Sequence, residues 1–347
     1  KAQAASSRVA VIQSLKGTVQ VKKAGGSKEF KAFTKMTLNE GDVLKTGANS
    51  SAVLQFSNGT SEDDRMTVSA NTTLTFSKLS DRNGTRTKVS MFNGTAWVDV
   101  KSIETKNDEF TLETPTAVMG VRGTHLLVSV DPITGATRLT VVAGIVQTQA
   151  TGSGEAREVK PGDNALIIKD SQDGEMIIAP VDLELLMQQS DSTIVEAIVK
   201  AAAEIALENE EKLAQYLEDV EQTSELERMR SNIESLLGAI VDTAIQSGLI
   251  TEERANQLIA EIQAQTGVTV DLSKKTLTLS EQDKARQDAL KRKQEEIARQ
   301  AAELKAQEEA RRQESLLKEL EEARRAKEEA NRQAAEEKRR NAASEYS

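Results

Sequence analysis

The chain has 347 residues, a formal net charge of −10, 29% charged residues and only 3% aromatics. That length allows two or three structural units, and the shortage of aromatics implies a modest core joined to elongated, polar elements. The acidic balance argues against nucleic acid as a partner of the folded part. With no cysteine, thiolate metal sites, a cysteine nucleophile and a disulfide framework are excluded.

The chain opens Lys1-Ala2-Gln3-Ala4-Ala5-Ser6-Ser7, and the small-x-small pattern has the form of a signal-peptidase site. Residues 1–7 are therefore read as a signal-cleavage remnant, against the alternative of an ordinary Ala/Ser-rich N-terminus. The expected location is extracytoplasmic, secreted or at the cell surface, with the periplasm as the alternative. No apolar run approaches the ~20 residues needed to span a bilayer, so no transmembrane segment is expected.

Residues 8–180 alternate with the period of half-buried strands, as in Val9-Ala10-Val11-Ile12, Ser51–Phe56, Thr73–Phe76, Thr95–Val100 and Arg138–Val142. Turn signals separate these runs at Gly25-Gly26, Asn58-Gly59, Asn83-Gly84, Gly135 and Pro161-Gly162-Asp163. Asn-Gly suits a tight hairpin because both residues tolerate positive φ. Many short strands without an intervening helical period predict an all-β domain, a sandwich or β-solenoid rather than an α/β enzyme.

The period becomes helical after Pro180. Ile194, Val195, Ile198, Val199, Ala202, Ile205 and Ala206 share one face, and Leu226, Met229, Ile233, Leu236, Leu237, Ile240, Val241 and Ala244 form a second stripe. Ser224 with Glu227 has the form of a capping box. Gly248 is expected to end that helix, and Thr251 to open a third carrying Leu258, Ile259 and Ile262. Residues 181–266 thus read as an amphipathic helical bundle. In 267–280, Val268-Thr269-Val270 and Thr276–Leu279 flank a polar turn and predict a short hairpin linker. Residues 281–347 are almost wholly Glu, Lys, Arg, Gln and Ala. Pairs such as Glu308–Arg312 and Glu321–Arg325 fall at i,i+4. The heptad of Leu290, Ile297 and Leu304 has Lys293 and Gln300 at its second core position and is lost at Arg311. A charged single helix of about 90 Å is therefore expected, with a weak coiled coil as the alternative.

Few residues suggest chemistry. His125 is the only histidine; on a strand it points away from Leu126, Val128 and Val130, beside Leu127 and Ser129. A lone histidine cannot build a His-rich metal site or a Ser-His-Asp triad. Glu62-Asp63-Asp64 and Asp170–Glu175 lack EF-hand spacing and read as solvated turn acids. Asn-x-Ser/Thr triplets at Asn49, Asn58, Asn71, Asn83 and Asn93 read as turns before glycosylation sites. Gly120-Val-Arg-Gly123 fits neither a P-loop nor a dinucleotide loop, so its glycines serve backbone geometry and Arg122 an ion pair. No catalytic, cofactor-binding or metal-ligating residue is expected, and no cofactor.

Several segments together resemble the FecR domain family: Gly17-Thr18-Val19, Leu38–Gly47, Ala52–Thr60, Phe92–Val98, Phe110–Val130 and Val142–Val146, closing on Pro161-Gly162-Asp163. The residues that carry the pattern are Gly41, Asp42, Thr46, Gly47, Pro115, Val121, Arg122, Gly123 and Thr124. The resemblance covers residues 9–170 and implies an extracytoplasmic β-module. The best-known members are periplasmic regulators that pass a transport signal to a sigma factor and carry a cytoplasmic anti-sigma segment and a membrane helix before the β-domain. Here the β-region follows the cleavage remnant directly. The expected role is therefore that of a non-enzymatic exported envelope or cell-surface protein, with the β-domain binding a protein or cell-envelope polymer and the helical part acting as spacer. Self-association through the C-terminal helix is the further partner considered. An envelope signalling sensor, acting through a membrane partner on an anti-sigma/sigma pathway, is the alternative.

Overall fold

A computed structural model describes residues 8–56, 64–81, 83–101, 108–153, 155–169, 174–216, 223–274 and 277–345. The cleavage remnant, Asn58-Gly59, Glu62-Asp63 and the acids at 170–173 fall outside these residues. The described chain forms two compact units, 1–294 and 295–347.

In the first unit, seventeen strands among the described residues are linked by hydrogen bonds into one continuous set that packs as two layers. Layer A runs in the order β4 (Thr37–Asn39), β1 (Arg8–Lys16), β6 (Ser51–Phe56), β7 (Asp64–Val68), the second half of β9 (Gly84–Val100), β12 (Thr124–Val130), β13 (Thr137–Ala143), β16 (Asp163–Lys169) and β17 (Gly174–Pro180). Layer B runs β3 (Glu29–Lys31), β2 (Val19–Lys22), β5 (Val43–Thr46), β8 (Thr73–Asp81), the first half of β9, β10 (Glu109–Glu113), β11 (Ala117–Val121), β14 (Val146–Ala150) and β15 (Ala156–Val159). Every pairing is antiparallel except β9–β10.

Period-2 alternation produces the core, because each strand sends every second side chain into the gap between the layers. Leu54, Met66, Val98, Leu126, Val128 and Leu139 of layer A meet Leu44, Leu74, Phe76, Val89, Leu112 and Met119 of layer B. Phe56 packs edge-on to Phe110, with centroids 5.3 Å apart, and 6.3 Å from Phe76.

Strand β9 passes from one layer to the other at Asn93-Gly94. Residues 85–93 pair with β8 and residues 94–100 with β12. Gly94 has φ +101°, and a Cβ there would lie 2.1 Å from Thr72 Oγ1. Asn93-Gly94 is thus a strand crossing, not the turn its sequence suggests. Asn49 and Asn71 do sit at positive φ between strands.

Among the described residues five helices follow: α1 (Leu183–Gln189), α2 (Ser192–Lys200), α3 (Ala202–Tyr216), α4 (Thr223–Gln246) and α5 (Glu252–Thr266). The first predicted stripe divides at Ala201 between α2 and α3. Ser224 lies inside α4 and does not cap it. Thr251 caps α5, its side chain accepting from the Arg254 N–H, and Gly248 is left-handed at φ +71°. The helices close on the outer face of layer A, where Trp97, Leu127, Val142 and Ala143 join a second core with Ile194, Ile198, Ile205, Leu237 and Ile240. The predicted hairpin at 267–280 has no strand among its described residues. Val268 and Val270 instead bury themselves in this helical core, and the chain turns at Asp271–Lys274 against Gly238 of α4. Burying two valines outweighs pairing a two-stranded ribbon that would be marginal alone.

Helix α6 (Glu281–Ser344) begins in the first unit and forms the second. From residue 302 to residue 345 every side chain is exposed. Ion pairs Glu308–Arg312, Glu314–Lys318, Glu321–Arg325 and Arg324–Glu328 recur at helical spacing.

Candidate functional site

The residues of the FecR pattern hold the backbone and do not converge on one site. Asp42, buried after the left-handed Gly41, accepts from the N–H groups of Ala24 and Asn39 and pairs with Lys23 Nζ at 2.8 Å. Thr46 Oγ1 donates to the Ser69 carbonyl and accepts from the Thr72 N–H, and the Gly47 N–H bonds the Thr18 carbonyl. Pro115 packs against Gly135. Val121, in the core, ends β11 in layer B, and Thr124, fully buried, begins β12 in layer A. Arg122-Gly123 is therefore the corner between layers, and Arg122 reaches the Asp108 carbonyl at 3.5 Å.

A different group does converge. Alternation places His125 on the outer face of layer A, as its neighbours indicate, but α3 covers that face and leaves His125 1% exposed. Asp99 stands opposite it on β9, and Arg65 of β7 stands on the far side of Asp99 in the same row. Glu204 and Glu208, one turn apart on α3, face the imidazole from above. Nε2 lies 3.0 Å from Asp99 Oδ1 and 3.7 Å from Glu204 Oε2, and Nδ1 lies 3.4 Å from Glu208 Oε2. Lys101 Nζ is 3.7 Å from Glu204 Oε1 at the rim. The Trp97 ring lies alongside, its centroid 6.1 Å from that of His125.

Burial resists a charge on His125, yet the close carboxylates of Asp99, Glu204 and Glu208 outweigh it and hold its pKa well above the ordinary 6.5. His125 in turn lowers the pKa of Glu204, whereas burial raises that of Glu208. Despite their neighbours, both imidazole nitrogens and Asp99 Oδ1 lack an aligned hydrogen bond.

Two anchors fix α3 and α2 over this cluster. Asn209 of α3, buried, donates to the Val142 carbonyl at 2.9 Å and accepts from the Gly144 N–H at 3.4 Å. Asp191 caps α2 and accepts from the Ser69 hydroxyl. A cleft of about 470 Å³ runs between layer A and helices α2 and α3, lined by Leu15, Arg65, Trp97, Ala197 and Lys200, with Asp99 and Glu204 in its wall. The sequence shows which way His125 faces. It does not show that a later helix would bring two glutamates onto it, although the Glu204/Glu208 spacing is legible as one helix face.

Residues 42–147 match the family model described as FecR protein. This chain carries a FecR domain. The domain supplies Asp99 and His125, while Glu204 and Glu208 lie beyond the matched residues. No curated protein matches the chain. Two solved structures of a candidate anti-sigma factor from Parabacteroides distasonis, at 1.65 Å and 2.50 Å, are each similar at 14% identity and a TM-score of 0.35. The first similarity covers 42% of this chain and 63% of that protein, and the second 47% and 73%. No helix among the described residues is long and apolar enough to cross a membrane.

Proposed function

We propose that this is a non-enzymatic exported envelope or cell-surface protein whose FecR domain binds a protein or cell-envelope polymer, with the helical part as spacer. The observation that carries this reading is the asymmetry of the sandwich. Layer A is covered by α1–α5, whereas layer B presents Lys45, Lys88, Phe92, Val118 and Gln147 exposed on its outer face. Ion pairs Lys45–Glu29 (2.7 Å) and Lys88–Glu113 (3.1 Å) order that face without giving it one sign of charge. Isolated apolar groups among polar ones are the ordinary makeup of a non-obligate interface. The FecR match itself favours a second reading, an envelope sensor that passes a signal through a membrane partner.

The test places photo-crosslinking residues at Lys88, Val118 and Gln147 in the full chain expressed in its own cells, with exposed positions of α5 as control. Adducts in the envelope fraction from layer B alone are the expected result. A protein adduct spanning the membrane, with altered sigma-dependent transcription on its loss, selects the sensor. Retention in the cytoplasm, or adducts equal to the α5 control, overturns the envelope-binding reading.

A further inference from the structure

We propose that Asp99, His125 and Glu204 form a divalent transition-metal site, of the Zn²⁺ class, that staples α3 to the FecR domain. One oxygen from each carboxylate and an imidazole nitrogen lie within 4.8 Å of one another. His125 Nε2 has Asp99 Oδ1 at 3.0 Å and Glu204 Oε2 at 3.7 Å, and neither oxygen forms an aligned hydrogen bond with it. Asp99 Oδ1 is within hydrogen-bond distance but off the nitrogen's axis, and Glu204 Oε2 lies beyond hydrogen-bond distance. Both separations suit the edges of a coordination polyhedron. Bonds of about 2.1 Å in a tetrahedron put neighbouring ligand atoms about 3.4 Å apart.

The other ring nitrogen supports the same assignment. Metal-bound imidazoles orient themselves by giving the second N–H to a carboxylate, and Glu208 Oε2 lies 3.4 Å from Nδ1. The buried imidazole is thus flanked by a ligand pair on one side and an orienting acid on the other. Asp99 and Glu204 also line the 470 Å³ cleft, which gives the ion a route in and lets water complete its coordination. The imidazole suits Zn²⁺, and a given nitrogen and oxygen site holds Zn²⁺ more tightly than Mn²⁺. Because two ligands come from β9 and β12 and the third from α3, the ion would tie the helical layer to the sandwich. Such a staple is independent of what layer B binds.

The experiment is a Zn²⁺ titration of the chelator-treated full chain by calorimetry, repeated with Co²⁺ to read coordination from its visible spectrum. One Zn²⁺ per chain, a tetrahedral Co²⁺ spectrum and a rise in melting temperature on Zn²⁺ addition are expected. Glu204 is half exposed (49%), so Glu204→Gln leaves the fold intact and should weaken binding at least tenfold. Glu208→Gln should weaken it by about 10–100-fold. Glu196→Gln, in the same cleft but outside the ligand set, should bind as wild type. The assignment is overturned if the full chain takes up no Zn²⁺, which would leave His125 as an imidazolium ion pair. Binding that Glu204→Gln and Glu208→Gln leave unchanged would equally overturn it, by placing the ion elsewhere.

Discussion

Gly144 shows how a single position sets the geometry of this fold. It joins β13 in layer A to β14 in layer B at φ +74°, and a Cβ there would stand 2.2 Å from the Gly123 carbonyl oxygen and 2.5 Å from Thr124 Cγ2. The Val-Arg-Gly-Thr corner and the β13–β14 corner are therefore packed back to back, and Gly144 leaves no room for a side chain at the contact. Gly144→Ala should cost about 3 kcal/mol or more, the left-handed backbone and the overpacking adding together. Gly152 has φ +88°, but a Cβ there would meet nothing within 4 Å, so Gly152→Ala should cost only the backbone part, about 1–2 kcal/mol. Urea midpoints of the two variants separate clash from strain. Equal losses would show that the two corners do not depend on close approach.

At the scale of elements, the start of α6 ties α4 and the end of β17 together through ion pairs and hydrogen bonds. Ser280 and Asp283 cap it reciprocally: the Asp283 N–H donates to Ser280 Oγ at 3.1 Å, and the Ser280 N–H to Asp283 Oδ2 at 3.2 Å. Arg228 of α4 reaches Asp283 at 2.8 Å, Arg286 also pairs with it, and Gln287 donates to the Pro180 carbonyl at the end of β17. Burial pushes the Asp283 pKa up, but Arg286, Ser280 and Arg228 together bring it below 3.8. Nearby Asp163, at the start of β16, goes the other way: burial raises it to about 6 against Arg286, Arg228 and Lys160. The two carboxyls therefore act in different windows. Asp283 contributes stability above its unfolded pKa and loses it only as pH falls through the lowered value. Asp163 favours the protonated fold, so its contribution is full below pH ~4 and disappears as pH rises to about 6. Asp163→Asn should flatten the stability profile between pH 4 and 6 and stabilise the protein at pH 7.5 by about 1–2 kcal/mol, discounted for partial solvent contact. Thermal melts across that range check it, and an unchanged slope would remove Asp163 from the account.

At the scale of the whole molecule, what the sequence made legible depended on whether a local rule decided the outcome. Strand alternation named the inner face of the sandwich because each strand carries its own period, and composition marked α6 because nothing in 302–345 is buried. Asn93-Gly94 misled because Gly94 answers to Thr72 in the turn between β7 and β8. The His125 cluster stayed hidden because its members meet only when α3 packs on β9 and β12. The same distinction governs self-association. In the second unit, Leu304, Leu316, Leu317 and Leu320 are 48–66% exposed, and the last three occupy little more than one helical turn. A coiled coil needs a seam sustained over three or four heptads, and Arg311 and Lys318 interrupt the register of Leu304. Each i,i+4 ion pair adds only about 0.3–0.5 kcal/mol, so the helix rests on many such pairs and on its propensity for Ala, Glu, Lys and Arg. The full chain should therefore sediment as a monomer with one coefficient over a hundredfold concentration range. Its ellipticity at 222 nm should fall only slightly as salt screens those pairs. A coefficient that rises with concentration, and returns to the monomer value in a Leu316→Ala/Leu317→Ala/Leu320→Ala variant, would show that this single turn suffices to seed a stalk.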